Sequence, residues 1–357
     1  MFTHLNVSSA YSAHYGVAQP PLLAKAAKAL GFEALAVTDR DGLYGAVKHI
    51  GNCIKEGLVP IVGVNIEVAE IGRVKVLATG NNRGAGWSSL CKLVSKAHQK
   101  PKRAKPGITL QQLGELSSNC VVLVGHDSAI AQEILANPAI AKELAQRVAE
   151  VLDKNQLIFE VVNHLTEPGS LYSTEHARAM CEFATGLGYK AILSNAVRYL
   201  EPDDAVTADV LDSARELEPL GIFQLQPNAQ AWLKPQNQMA ALALETTEDS
   251  RLARWLLKNT EEVALRCYLD PVKDCGWGQP KTPEQSALGI TGNPFEVLWQ
   301  KTHSAIPWRY PDAKAAELAT IQHRLSKELI AINELGFSTY FLTVADVGQM
   351  IRDMSIR

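Results

Sequence analysis

The sequence predicts an α/β protein. Its first two hundred residues close, or nearly close, into a (β/α) barrel, and the remainder is helical. Three observations predict this. Short β-rich runs recur from residue 2 to residue 193, helical patterns separate most of them, and glycines stand where several of those helices should end.

The β-rich runs are Phe2–Val7, Ala34–Thr38, Val59–Val68, Val74–Ala78, Val121–Val124, Leu157–Val162 and Ala191–Leu193. Short, nearly continuous apolar runs of this kind read as strands buried on both faces. Between them lie PLLAKAAKALG, GAVKHIGNCIKEG, GWSSLCKLVSKAHQ, AIAKELAQRVAEVLDK and EHARAMCEFATGLG. These repeat apolar residues at the spacing of a helix that packs one face on a sheet. Gly31, Gly57 and Gly188 close three of them, where a C-cap favours a left-handed residue. Strand followed by helix implies parallel strands joined by crossover helices. Seven such strands suit a barrel better than two sheets, with an open doubly wound sheet as the alternative.

After Tyr199 the pattern changes. EPDDAVTADVLDSAREL reads as a polar helix and PLGIFQLQPNAQAWLKPQNQ as a loop. MAALALETTEDSRLARWLLKNTEEVALRCYL reads as two helices. DPVKDCGWGQPKTPEQSALGITGNP, rich in Gly and Pro, marks a boundary. The last segment is helical with one break, at Gly336. The expected organisation is a barrel over 1–200, a helical connector over 201–285 and a further helical part over 286–357.

Composition excludes several classes. With 46% apolar and 20% charged residues among 357, the chain can bury a sizeable core. A net charge of −3 gives no global case for nucleic-acid binding, although a local basic groove would suffice. The six cysteines show no C-x-x-C spacing, so no zinc ribbon or redox pair is expected. They read as reduced thiols of a cytoplasmic protein. The start MFTHLN is not a signal peptide, and no apolar run is long enough to cross a membrane.

In a (β/α) barrel the working residues sit at the C-terminal ends of the strands. Those ends offer His4 and Asn6, Asp39 and Arg40, Asn65 and Glu67, His126, Asn163 and His164, and Asn195 and Arg198. Polar groups gather where a site would be, but most are amides and guanidiniums. Arginine has no lone pair to give a metal, and carboxamides are weak partners for a transition ion. His4, Asp39, His126 and, more distantly, His164 are the candidate ligands; a hydrogen-bonded structural role is the alternative for each. Asp39–Arg40–Asp41 is a D-x-D that could hold magnesium, or simply shape a turn. The basic run KAHQKPKRAKPG, Lys96 to Gly107, reads as a solvated helix end. Phosphate-binding loops, Rossmann fingerprints and the G-x-S-x-G and H-E-x-x-H motifs are absent.

HLNVSSAYS, ALAVTDRDGLYGAVKHIGNCIKEGLVPIVGVNIEV, LCKLVSKAHQ, NTEEVALRC and ELIAINELGFSTYFLTVADV follow one another across the whole chain. In that order they resemble the bacterial C-family DNA polymerases, namely the alpha subunit of DNA polymerase III and its error-prone paralogue. IRDMSIR leans towards the paralogue. The resemblance implies an amino-terminal barrel of the polymerase-and-histidinol-phosphatase (PHP) type with seven strands, then helical thumb and palm segments. It also implies departures from an active PHP site. Asn6 stands for a histidine, Arg40 for a histidine, Asn65 for a glutamate and His126 for a cysteine. Asn195-Ala196-Val197-Arg198 stands for N-D-x-H. The pocket formed by His4, Asn6, Asp39, Arg40, Asn65, His126, His164, Asn195 and Arg198 is therefore expected to be a metal site that has lost its ligands. The implied whole is a magnesium-dependent polymerase whose palm aspartates are not in this sequence, so no cofactor is expected here. Implied partners are DNA, through the rest of the polymerase, and a proofreading exonuclease or other replisome or repair proteins. The competing expectation is a PHP-type phosphoesterase or 3′–5′ exonuclease working with a reduced ligand set.

Overall fold

The computed structural model describes residues 2–99, 101, 104–279 and 281–355. Part of the basic run (Lys100, Lys102 and Arg103) and the final Ile356 and Arg357 lie outside them. The chain divides into two compact units, Met1–Trp277 and Gly278–Arg357.

Six strands form one sheet in the order β1-β2-β3-β4-β5-β6. They are β1 (Ala34–Arg40), β2 (Val59–Val68), β3 (Gly72–Ala78), β4 (Cys120–Val124), β5 (Leu157–Val162) and β6 (Lys190–Ser194). Helices α1 (Pro20–Ala29), α2 (Ala46–Glu56), α3 (Ala85–Ala97), α4 (Leu110–Leu116), α5 (Ala129–Ala136), α6 (Pro138–Val151) and α7 (Thr174–Gly186) belong to the connections around and between these strands. Gly31, Gly57 and Gly188 take φ of +79°, +68° and +73°, the left-handed geometry expected of residues that end helices.

The strand alternation separates two layers. Leu35, Val37, Val62, Val64, Val74, Val76, Val122, Phe159 and Leu193 join the large core between sheet and helices. Ala34, Ala36, Ile61, Leu77, Val121, Leu123, Ile158 and Ile192 form a smaller inner cluster. Helices α8 (Ala205–Glu216), α9 (Gln236–Thr247), α10 (Ser250–Arg266) and α11 (Pro271–Cys275) complete the unit. The C-terminal half of α10 caps the inner cluster with Val263 and Ala264, followed by Cys267. Asn259 and Thr260 satisfy β6: Asn259 donates to the Ala191 carbonyl at 2.9 Å, and the Leu193 N–H donates to Thr260 Oγ1 at 3.0 Å.

Two expectations are corrected. Among the described residues the sheet has six strands, not seven, because Phe2–Val7 is not a regular strand. Its Leu5 joins the inner cluster, while the next side chain, Asn6, reaches Glu160 on the same inner side. Two consecutive inward residues break the two-residue alternation a strand needs. The segment still lies between the edges of the sheet. The Val7 carbonyl accepts from the Thr38 N–H at 2.8 Å, and the Asn6 carbonyl from the Val197 N–H at 2.9 Å. Nor is the sheet all parallel: β3 runs antiparallel to both β2 and β4. Only Ala69–Ile71 separates β2 from β3, too short for a crossover helix.

The second unit is helical: α12 (Pro294–Ser304), α13 (Ile306–Arg309), α14 (Ala315–Glu334) and α15 (Ser338–Ser355). Leu298, Leu329 and Leu342 are buried at its centre. Gly336, at φ +74°, makes the break between α14 and α15.

Candidate functional site

Above the inner apolar cluster lies a polar layer at the C-terminal ends of β1, β2, β4 and β5. Its centre is Lys75, on the inner face of β3 and 1% exposed. The Lys75 ammonium stands 3.0 Å from Asp127 Oδ2 and 3.5 Å from Glu160 Oε2. Burial works against its charge, but Asp127 and Glu160 outweigh burial and hold its pKa above the ordinary value. Burial likewise opposes ionisation of Asp127; His126 and Lys75 overcome it and keep this carboxyl well below the usual range. His126 Nε2 lies 3.3 Å from Asp127 Oδ1, and its Nδ1 3.9 Å from Glu160 Oε2. Neither His126 Nδ1 nor Glu160 Oε2 has a hydrogen-bond partner.

The carboxamides of the site join this network. Asn6 Nδ2 donates to Glu160 Oε1 at 2.7 Å. Asn65 accepts from Arg73 Nε at 3.0 Å, and its Nδ2 reaches Asp127 Oδ2 at 3.4 Å. Arg73 also pairs with Asp41 at 2.8 Å and lies 3.8 Å from Glu67. A second cationic group is built on Tyr15. The guanidinium carbons of Arg40 and Arg198 stand 3.6 and 3.9 Å from its ring centre. Arg198 forms a two-pronged bond to Asp212, 2.8 Å on each arm. Arg40 Nε is buried without a partner. Tyr172 stacks on His164 with centroids 4.9 Å apart and lies 4.8 Å from His126.

Four sequence-predicted residues, His4, Asp39, Asn163 and Asn195, fall elsewhere. His4 points into the outer layer between Phe2 and Phe32, with Nε2 at 2.8 Å from the Lys234 carbonyl. Burial lowers its pKa to about 4. Asp39 follows the outward parity of β1 and is held by the first turn: by Ser9 N–H at 2.7 Å, and by the Ser9 and Ser12 hydroxyls at 2.8 Å each. Burial raises its pKa against those bonds. The Asp39–Arg40–Asp41 carboxylates thus point to different partners. Asn163 binds Thr174 and Thr246. Asn195 donates to the Gln230 and Trp232 carbonyls and accepts from Lys234 Nζ at 3.0 Å. His164 Nε2 lies 2.9 Å from the Asn195 carbonyl, and burial lowers its pKa to about 3.

The structure thus brings together Asn6, Arg40, Asn65, His126, His164 and Arg198. It adds Tyr15, Arg73, Lys75, Asp127, Glu160 and Tyr172, which strand-end reading missed. A signal for two of them was present. Lys75 in RVKVLA and Glu160 in LIFEVV are charges inside otherwise apolar buried strands. Such charges are retained only when paired. Among the described residues, no group of three or more His, Cys, Asp or Glu is arranged to hold a metal ion.

A sheet curled around a polar mouth, with helices outside, is a (β/α)-barrel-like layout, and residues 4–164 match the family model of the PHP domain. The relatives are more particular. The chain is 27% identical over 372 residues to DNA polymerase III subunit alpha of Escherichia coli (strain K12), covering 99% of this chain and 30% of that protein. It is 26% identical over 362 residues to the error-prone DNA polymerase of Mesorhizobium japonicum, again covering 99% and 30%. The chain therefore spans about a third of the length of these relatives. The resemblance read from the sequence is found again in both. Among solved structures, a protein of Bifidobacterium adolescentis assigned as a metal-dependent phosphoesterase aligns at 12% identity and a TM-score of 0.40, over 70% of this chain and 97% of that one. No described helix is long and apolar enough to cross a membrane.

Proposed function

We propose that this chain is the amino-terminal, supporting part of a bacterial DNA-directed DNA polymerase, in replication or error-prone repair synthesis. In this reading its PHP barrel carries an internal cation in place of a metal. The observation that carries the reading is Lys75. Its ammonium lies within 3.5 Å of the carboxylates Asp127 and Glu160, the anionic groups a divalent ion would need. Zinc or manganese requires several converging imidazole or carboxylate donors. Here the free donors are His126 Nδ1 and Glu160 Oε2, and a fixed positive charge stands beside them. The donor set does not fit a metal, so no hydrolytic step is derived through one.

The alternative is a hydrolase that works with a reduced set. His126 Nδ1 and Glu160 Oε2, 3.9 Å apart and each without a hydrogen bond, are the feature that favours it. Hydrolysis of bis(4-nitrophenyl) phosphate and of a 3′-labelled oligonucleotide, each with and without manganese, separates the two. The supporting role predicts no manganese-stimulated turnover. Turnover that disappears in His126→Ala and Glu160→Gln would establish the hydrolase instead. In the longer polymerase the barrel would support the palm and offer a face to a proofreading exonuclease or another replisome protein.

A further inference from the structure

We propose that a cleft at the opposite end of the barrel binds the base and phosphate of a nucleotide. Lys154 precedes β5, Tyr189 and Lys190 lead into β6, and Arg251 and Trp255 lie in the first turns of α10. With Thr185 they line a cleft of about 720 Å3, within the size range of small-ligand sites. The barrel mouth lies at the other ends of β5 and β6, so this cleft shares no residue with it.

The lining combines two kinds of group. Tyr189 and Trp255 are half-buried, packed on the core and open to the cleft. Aromatic faces held in this way are platforms on which any base can stack. Around them stand three cations. Lys190 is paired with Glu262 at 2.6 Å. Lys154 rests 5.8 Å from the Tyr189 ring centre, and among the described residues neither it nor Arg251 has a carboxylate partner. The carboxylate of the lining, Asp249, is engaged by the Arg251 N–H at 2.7 Å. An acidic peptide would use the cations and leave the rings idle; a nucleotide uses both.

The test is anisotropy of a fluorescein-labelled oligothymidine against the 357-residue protein at low salt, with ATP and polyglutamate as competitors. The expected result is saturable binding. Arg251→Glu and Lys154→Glu, both at exposed positions, should each weaken it, and Trp255→Ala should weaken it about tenfold or more with partial rescue by Trp255→Phe. Displacement by ATP would mark a mononucleotide pocket, and binding that only the strand supports would mark a single-strand site; both uphold the proposal. Binding that the charge reversals leave unchanged, no binding, or displacement by polyglutamate as effective as by nucleotide would overturn it.

Discussion

Lys75 illustrates how one residue sets the chemistry of the barrel mouth. Its ammonium is almost wholly withdrawn from water, and two carboxylates compensate the loss. Removing one member of such a group leaves the others uncompensated, which is far costlier than never having built it. Lys75→Met should therefore destabilise the protein by about 3 kcal/mol in urea unfolding at pH 7. The sign of its pH dependence follows from Asp127. A carboxyl whose pKa is held below the usual 3.8 adds stability above that value and loses it as pH falls through the folded pKa. Part of that contribution belongs to Lys75, so the gap between wild type and variant should narrow below pH 4. A gap that widens in acid would contradict the pairing. His4 is the contrasting case. It makes one bond to a carbonyl and leaves Nδ1 without a partner. His4→Ala should cost only about 1 kcal/mol, and a thermal melt with and without chelator should show no difference between the two conditions.

Elements are joined by side chains that finish one another's backbone. Asp274, on α11, accepts N–H groups from Asn81, Asn82 and Gly84 in the loop after β3, and from Asp270. Gly84 takes φ +81°, and an added Cβ would stand 2.6 Å from the Asp274 carbonyl oxygen. Asp274→Ala would leave these donors unsatisfied and should cost about 2 kcal/mol in urea unfolding; a change below a few tenths would show that water replaces the carboxylate freely. At this scale the sequence was most legible. Periodicity and glycine caps located six strands and five of the helices around them. They missed α4 and α5, seven and eight residues long, too short to show a helical repeat. They also misjudged β3, because hydrophobic pattern carries no information about strand direction. The site was less legible. The sequence names residues at strand ends, but parity decides which way they point. It sends Asp39 outward and brings Lys75 and Glu160 inward from the middle of their strands.

The molecule as a whole carries a record of its buried histidines. Burial lowers His4 and His49 to about 4 and His164 to about 3, against 6.5 when exposed. Between those values the unfolded chain binds protons that the folded chain refuses, so stability falls as pH drops from about 6.5 towards 4. His176 is lowered by burial as well, and Asp39, with its pKa raised by burial, works in the opposite direction, but it is one group against four. Unfolding free energy at pH 4.5 should lie several kcal/mol below that at pH 7; equal values would show that these rings reach water. In the proposed reading a built-in ammonium, that of Lys75 beside Asp127 and Glu160, fills the role a bound cation would have. Equilibrium dialysis of the purified protein against zinc and against manganese, followed by elemental analysis, tests it most directly. Well under one-tenth of an equivalent of either metal should be retained and the melting temperature should not move. One equivalent held tightly, with a raised melting temperature and loss of both in Glu160→Gln, would contradict it.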